Sequence, residues 1–387
     1  MQVIRTLFAA VLALLSTVSP AQTEKMTPLL LSVHDAPVPF AGSDGRTHLV
    51  YELWILNYSS ADSSVQKVDV LDGDQVLQSL TAAEIAAQLQ PAGKRVATAT
   101  LTGGLQALLF LDVPLAPGAT VPSKLTHRVT GHFDAAPPAF REITATGGET
   151  TVDRRVVVHI APPLRGDGYI SADSSCSSTR HRRAALPVNE RLWIAQRFAV
   201  DWEQLNSTGH IYSGPPKDTS SYTIYGKTVY AVADATVESV IDNQPEQVPG
   251  TYPSNITLDQ ADGNSVILKL ADRTYALYAH MQPGSIRVRA GQQVKIGDVI
   301  GLVGNTGNSV APHLHFQVMD APSSLGSNGL PYAIDSFVVT GSTPGTAAFD
   351  ESESKGVPLA FTKAASTAST RNALPLDQLI VSFSSPK

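Results

Sequence analysis

Two histidines separated by one residue stand in the segment "PHLHF", residues 312–316. In a β-strand, alternate side chains face the same side, so His313 and His315 would project together while Leu314 and Phe316 enter the core. One imidazole could bind a zinc ion directly and the other could face the bound water. The spacing favours hydrolytic chemistry, although an isolated pair of this kind equally fits two histidines on a solvated strand face.

Two other segments offer residues that could join this pair. The stretch "YALYAHM" ends near His280, which shares a strand face with Tyr278 by period-two counting. In "QRFAVDW", the same counting places Arg197, Ala199 and Asp201 on one face. A hydrolytic zinc site normally takes three protein ligands and leaves a position open for water. Asp201 is therefore a candidate carboxylate ligand, and a surface or turn-capping aspartate is the simpler alternative.

The elements that must position these residues are mostly β-strands. Residues 28–161 contain short apolar runs broken by Gly, Pro, Asn and Asp, which predicts an N-terminal β-sandwich of the immunoglobulin-like kind. One helix interrupts the strands, because Thr81 and Glu84 occupy capping-box positions and Pro91 follows. The ligand of this domain is not indicated by its residues.

The rest of the chain divides into three segments. Residues 162–190 are rich in Gly, Ser, Pro and Arg and lack periodicity, which predicts a linker or an irregular segment. Residues 191–340 form the second predicted domain, in which "YGKTVYAVADATVESV" and "AGQQVKIGDVIGLVG" repeat a pattern typical of small β-rolls. Residues 341–387 are predicted to form a polar tail that ends in a strand, "LDQLIVSF", which is expected to pack back on a domain.

Composition limits the location and the partners of the protein. Residues 1–21 carry one early arginine, an apolar run and an S-x-A pattern, which predicts a cleaved secretory signal and an exported protein, in a periplasm or outside the cell. No other stretch approaches the ~18 apolar residues that a membrane span requires. The net charge of −6, with no long basic run, argues against nucleic acid as a partner. The single cysteine excludes an internal disulfide.

The order of these motifs resembles the M23 (LytM-like, lysostaphin-like) zinc endopeptidases, which cut peptide cross-links in bacterial cell walls. The resemblance covers roughly residues 196 to 337 and includes Asp201, "YGKTVYAV", "YALYAHM", the glycine-rich "GLVGNTGNS" and "PHLHF". It implies an antiparallel β-sheet or β-roll domain that acts on peptidoglycan peptides. Asp201 and His315 would bind zinc, while His280 and His313 would act on the water and the tetrahedral intermediate.

One position departs from the family pattern. The family has a histidine ligand four residues before the aspartate, and this chain has Arg197 there. Arginine stays protonated and has no lone pair to offer a metal. A substitute ligand could come from His181 or His210, which flank the segment, or from His280 turned inward; Cys176 is a weaker candidate.

Without a substitute ligand, Arg197 would indicate a metal-free site or a wrong alignment of "RFAVD". In a metal-free site, Arg197 would pair with Asp201 on one strand face, and the groove would bind a wall peptide without cutting it. Degenerate members of the family activate other cell-wall hydrolases, so the partner would then be such a hydrolase. We expect a substitute ligand and an exported zinc endopeptidase, with a wall-binding or hydrolase-regulating protein as the alternative.

Overall fold

The computed structural model describes residues 24–177 and 179–383. The predicted signal segment, residues 1–21, lies outside the described residues. Within them, no helix is both long enough and apolar enough to cross a membrane. The fold is mostly β, with several antiparallel sheets, which confirms the predicted fold class.

The N-terminal half consists of two five-stranded sheets that enclose one apolar core. Its elements, in chain order, are β1 (Leu29–Val33), β2 (Phe40–Ala41), β3 (Thr47–Asn57), β4 (Ser63–Asp72), β5 (Gln75–Thr81), α1 (Ala82–Gln88), β6 (Leu89–Pro91), β7 (Thr100–Leu101), β8 (Gln106–Leu115), β9 (Lys124–His132) and β10 (Glu142–Thr151). One sheet contains β1, β2, β3, β8 and β6, and the other contains β10, β9, β4, β5 and β7. The predicted capping box between Thr81 and Glu84 is present at the start of α1.

The second half is built around one large sheet. Its elements are β11 (Val158–Ile160), β12 (Gly166–Ala172), α2 (Arg180–Arg183), β13 (Leu186–Val188), β14 (Arg191–Trp193), β15 (Val200–Gln204), β16 (Thr228–Tyr230), β17 (Ala235–Ile241), β18 (Asn264–Ala271), β19 (Thr274–Met281), β20 (Gln293–Val294), β21 (Val299–Leu302), β22 (Leu314–Met319), β23 (Gly329–Leu330), β24 (Tyr332–Ser342), α3 (Thr346–Lys355), β25 (Thr362–Lys363), β26 (Ser369–Ala373) and β27 (Leu379–Phe383). The main path of the sheet is β11-β24-β27-β12-β15-β22-β19-β18-β17-β20. The two repeated motifs pair with each other, β16 with β21 and β17 with β20.

Two segments differ from their prediction as irregular or polar chain. Residues 162–190 contain β12, which pairs with both β15 and β27 in the middle of the large sheet. Residues 341–387 contain α3, with Phe349 buried, as well as the terminal strand β27. These segments acquire regular structure through pairing and packing with residues far away in sequence, which local composition does not reveal. The boundaries of the predicted domains stay a prediction.

Strand β3 joins the two halves because both of its faces are buried. The sandwich core contains its odd-numbered residues, Leu49, Tyr51, Leu53 and Ile55. On the opposite face, Val50 belongs to the core of the second half, and Trp54 packs in a cluster with Ile194. Side chains alternate along a strand, so one strand can serve two cores. The two halves therefore share a buried interface.

A buried ion network crosses this interface at Glu52. One carboxylate oxygen of Glu52 lies 2.8 Å from Nη2 of Arg182, and the other lies 2.8 Å from Nη2 of Arg197. Arg197 also contacts Asp35 at 3.3 Å. Burial raises the pKa of Glu52, but the positive charges of Arg197 and Arg182 outweigh it and hold the pKa below its ordinary value. A removed partner would leave buried charge uncompensated.

We expect Glu52→Gln to lower the free energy of unfolding by about 3 kcal/mol or more, because buried Arg182 loses its carboxylate partner and buried Arg197 keeps only the longer contact with Asp35. Urea denaturation measures the change. Glu149→Gln is the matched control, since Glu149 forms an exposed pair with Lys124, and such pairs contribute at most about 1 kcal/mol. Equal effects of the two substitutions would contradict the role assigned to Glu52.

A second buried polar contact makes the sandwich sensitive to acid. His127 accepts a hydrogen bond from the Tyr51 hydroxyl at its Nε2 (2.7 Å) and donates from Nδ1 to the carbonyl of Gly148 (3.0 Å). Burial lowers the pKa of His127 to about 4, although its contacts with the Gly148 and Gly147 carbonyls favour the charged form. The folded protein therefore holds this imidazole neutral at pH values where the unfolded chain protonates it.

Because its folded pKa is lower than its unfolded value, His127 should cost stability as the pH falls from about 6.5 to 4. The loss is about 2 to 3 kcal/mol between pH 7 and pH 4.5. Urea denaturation at both pH values measures it, with His127→Gln as the comparison. The variant should lose less stability than the parent over this interval, and an identical loss would refute the prediction.

Candidate metal centre and active site

Strand register brings Asp201 and His315 side by side. Strands β15 and β22 pair antiparallel with Asp201 directly opposite His315. Oδ1 of Asp201 lies 2.8 Å from Nδ1 of His315. On the other face of β22, Leu314 and Phe316 lie in the apolar core. The H-x-H motif therefore presents its histidines to one side and its apolar residues to the other.

The third member of the cluster is His181, on the short helix α2. Its Nε2 lies 3.3 Å from Oδ2 of Asp201, and its ring is 5.0 Å from that of His315, centroid to centroid. One donor atom from each of the three residues lies within 4.8 Å of the other two. We call His181, Asp201 and His315 the metal cluster, because two imidazoles and one carboxylate are a donor set that zinc prefers.

Each imidazole of the metal cluster forms a hydrogen bond through the ring nitrogen that points away from Asp201. Nδ1 of His181 donates to the carbonyl of Asp173 (2.9 Å), and Nε2 of His315 faces the side-chain carbonyl of Gln317 (3.0 Å). The amide nitrogen of Gln317 donates to the carbonyl of Ser324, which orients this side chain. A ring nitrogen that donates outward leaves the lone pair of the other nitrogen directed inward, as metal-binding histidines require. The residues therefore fit a divalent metal.

The charges in the cluster support this fit. Burial raises the pKa of Asp201, but the positive charge of His181 and the hydrogen bonds of His181 and His315 outweigh it and hold the pKa well below its ordinary value. Burial lowers the pKa of His181, and the attraction of Asp201 more than compensates, so this pKa rises to about 9. Without a metal this imidazole is therefore protonated near pH 7, and metal binding must displace its proton. A carboxylate ionised at neutral pH attracts a cation to this position.

Two more histidines border the metal cluster. Nδ1 of His280 donates to the carbonyl of Thr306 and Nδ1 of His313 donates to that of Ala311, both at 2.8 Å. Nε2 of His313 lies 3.5 Å from Asp201, and the rings of His280 and His313 are 4.6 Å apart. Burial, as the largest cause, lowers the pKa of both histidines. Each is a neutral base near pH 7.

His280 reaches this face by a break in strand alternation. The prediction that it shares a face with Tyr278 is wrong: Tyr278 lies in the apolar core against Phe316. His280 has a φ of +62°, a left-handed conformation that a non-glycine residue rarely adopts. This conformation turns its side chain toward His313. Period-two counting would instead place it on the core face with Tyr278.

The glycine-rich stretch before the H-x-H motif supports His280. Gly307 has a φ of +74°, and a Cβ added to it would overlap the backbone nitrogen of Gly263. The close approach of these two loops places Thr306, whose carbonyl accepts the hydrogen bond from His280. Glycine at position 307 is therefore required both by backbone conformation and by contact.

Arg197 does not belong to the site, so the predicted pairing with Asp201 and a role as a ligand replacement or substrate contact are wrong. Arg197 lies in the turn before β15, and its guanidinium binds Glu52 and Asp35. Period-two counting fails because the strand begins only at Val200. The position of the expected family ligand is thus used for the interface with the sandwich.

Of the other substitute ligands considered from the sequence, His280 groups with His313 and His315 and not with Asp201, and the remaining two lie elsewhere. His210 contacts Thr208 in a loop at 3.0 Å, and Cys176 lies beside His48. Among the candidates, His181 alone joins Asp201 and His315 in the described residues. Gln317 was missed by sequence reasoning, although its place two residues after His315 puts it on the same strand face.

The metal cluster forms the floor of a cleft of about 650 Å³. The cleft is bordered by charged and polar side chains from both halves of the chain and from α3, among them Arg95, Arg180, Tyr252, Asn308 and Glu353. A cleft of this size, with neutral bases beside the metal cluster, suits the hydrolysis of a polar substrate.

One segment of the second half matches a known protein family. Residues 222–327 match the family model of peptidase family M23. These residues, which we call the M23 segment, are similar to that family and make up 106 of the 387 residues of the chain. The M23 segment includes His280, His313 and His315 but begins after His181 and Asp201, so two members of the metal cluster lie outside the match.

Individual relatives match over short stretches. The chain is 43% identical to the cell division protein DipM of Caulobacter vibrioides over 61 residues, 16% of this chain and 10% of DipM. It is 44% identical to the DD-carboxypeptidase/endopeptidase Mpg of Neisseria meningitidis over 55 residues, 14% of this chain and 12% of Mpg. It is 27% identical to the glycyl-glycine endopeptidase ALE-1 of Staphylococcus capitis over 121 residues, 31% of each. The chain thus spans less than a third of the length of these relatives.

Solved structures of M23 proteins are also similar to this chain. A mutant catalytic domain of the prophage-encoded M23 protein EnpA from Enterococcus faecalis aligns at 20% identity over 45% of this chain and 93% of that domain, with a TM-score of 0.25. The catalytic domain of the antimicrobial peptidase lysostaphin from Staphylococcus simulans aligns at 20% identity over 42% and 84%, with a TM-score of 0.23.

His181→Ala should weaken zinc binding at the metal cluster by at least about 100-fold, because loss of a ligand exceeds the 10–100-fold effect typical of supporting residues. Competition with a chromogenic chelator measures the affinity. His210→Ala is the matched control, since His210 lies in a loop outside the cluster, and it should leave the affinity unchanged. Equal affinities of the parent and His181→Ala would exclude His181 as a ligand.

Proposed function

We propose that the protein is an exported zinc endopeptidase that hydrolyses peptide bonds in bacterial cell-wall peptidoglycan. The observation that carries this proposal is the convergence of His181, Asp201 and His315 next to two neutral histidines. M23 peptidases are zinc-dependent. A complete set of three ligand atoms supports zinc binding here despite Arg197.

His181, Asp201 and His315 would hold the zinc ion through Nε2, the carboxylate and Nδ1 respectively. A zinc ion there supplies Lewis-acid activation of the attacking water and of the scissile carbonyl. The carbonyls of Asp173 and Gln317 keep the imidazoles in the required tautomers. The substrate would reach the site through the cleft that these residues line.

His280 and His313 would transfer the protons. The outward Nδ1 of each donates to a backbone carbonyl, so each Nε2 has a free lone pair directed to the cleft. Either Nε2 can accept the proton of the attacking water and, once protonated, donate a hydrogen bond to the oxygen on which negative charge develops. Positioned acid–base groups contribute about 10²- to 10⁴-fold to the rate.

The choice of substrate rests on the relatives. Mpg and ALE-1 are endopeptidases by name, and DipM is a cell division protein. These names support a peptide substrate, and the action of M23 peptidases on peptidoglycan peptides supports the wall as its source. The alternative, a wall-binding or hydrolase-regulating protein without catalysis, relied on an Arg197–Asp201 ion pair, and Arg197 is instead bound to Glu52.

The purified protein, loaded with one zinc at the metal cluster, should release new amino groups from peptidoglycan. His313→Ala and His280→Ala should each lower the rate by about 10²-fold or more while zinc remains bound, because neither residue is a metal ligand. Amine labelling measures the release, and metal analysis measures the zinc. A chelator should abolish the activity, and added zinc should restore it.

His210→Ala serves as the control and should retain both zinc and activity. Stoichiometric zinc at the metal cluster without release of amino groups would overturn the endopeptidase proposal. In that case, co-sedimentation with intact peptidoglycan would support the alternative binding function.

A further inference from the structure

A second group of metal-binding side chains lies outside the cleft, where the sandwich meets the chain segment before α2. It comprises His48 on β3, Asp112 on β8 and Cys176 in the loop after β12, which we call the junction cluster. Nδ1 of His48 lies 2.9 Å from Oδ1 of Asp112 and 3.5 Å from Sγ of Cys176. One donor atom from each residue lies within 4.8 Å of the other two. The cluster shares no residue with the M23 site.

The orientation of His48 directs one ring nitrogen at the other two residues. Its Nε2 lies 3.1 Å from the carboxylate of Asp44. A carboxylate behind a histidine fixes the ring and increases its basicity, an arrangement that is common around bound zinc. With Nε2–H donated to Asp44, the Nδ1 lone pair points between Asp112 and Cys176.

The separation of sulfur and nitrogen agrees with tetrahedral coordination, whereas the 2.9 Å between Nδ1 of His48 and Oδ1 of Asp112 is a hydrogen-bond distance that would lengthen around a metal. A zinc ion with Zn–S near 2.3 Å and Zn–N near 2.0–2.1 Å brings sulfur and nitrogen to about 3.5 Å from each other. The sulfur of Cys176 and Nδ1 of His48 have this separation. Asp112 supplies the third donor, and its side chain is 28% exposed, so water can reach the group. A protonated His48 paired with Asp112 would show similar contacts, and the experiment must separate these two states.

We propose that His48, Asp112 and Cys176 form a second, structural divalent-metal site with one thiolate ligand, which takes zinc or a similar borderline-soft cation. Metal binding releases the thiol proton of Cys176 and any proton on Nδ1 of His48, and the oxidation states do not change. The site links two strands of the sandwich to the segment that carries His181, five residues after Cys176. It does not depend on the peptidase proposal.

Titration of the reduced protein with Co²⁺ tests this site. Cys176 is the only cysteine in the sequence, so a near-ultraviolet sulfur-to-cobalt charge-transfer band can report on this cluster alone. The parent protein should bind two equivalents of Co²⁺ and show the band. His181→Ala should bind one equivalent and keep the band, whereas Cys176→Ala should bind one equivalent without it.

Asp112→Asn keeps the thiol and should weaken the band-forming equivalent by about 10-fold or more. Circular dichroism checks that each variant folds. A parent protein that shows no band with saturating Co²⁺ would overturn the second site, and this measurement requires no substitution. A parent protein that binds only the band-forming equivalent, with the same stoichiometry in His181→Ala, would count against the metal cluster and leave the junction cluster supported.

Discussion

The carboxylate of Asp201 is the group around which the functional part of the molecule is arranged. It contacts three imidazoles: His181 from a short helix, His313 from the residue just before β22, and His315 from β22 itself. Buried polar groups need hydrogen-bond or charge partners. Several imidazoles that are buried together are therefore stabilised by a neighbouring anion or by a shared metal ion. The register between β15 and β22 fixes the contact of Asp201 with His315. The contacts with His181 and His313 depend on where α2 and the segment before β22 lie.

The N-terminal sandwich helps to position one residue of the metal cluster. Helix α2 has a single turn, and a helix of that length has no stability of its own. Arg182 anchors it through Glu52 on β3, while the adjacent His181 projects toward Asp201. The position of one metal-binding imidazole therefore depends on a strand of the other half of the chain. This dependence gives the sandwich a structural role in the site, apart from any ligand it binds.

The position at which the family pattern has a histidine ligand makes a different contact in this chain. Arg197 occupies it and completes the ion network at Glu52, and an imidazole from 16 residues earlier in the chain enters the space beside Asp201. Coordination requires a lone pair at the right place and not a particular position in the chain. The M23 match begins at residue 222, after both His181 and Asp201, so the segment that carries the family signature does not contain the whole cluster.

Local patterns in the sequence were sufficient for part of this description. The mostly β fold class, the capping box at Thr81 and the common face of His313 and His315 follow from period-two and capping rules that involve neighbouring residues. The M23 resemblance follows from motifs in a fixed order. These features depend on short stretches of chain, where side-chain direction follows from backbone geometry.

Tertiary structure alone decided the rest. The choice of His181, the diversion of Arg197 to Glu52, and the insertion of β12 and β27 into the large sheet all depend on contacts between residues far apart in sequence. The left-handed backbone at His280 reverses a side chain that alternation would place in the core. Strand pairing, buried charge compensation and a strained dihedral are held by the surrounding fold, and no local pattern of residue types specifies them.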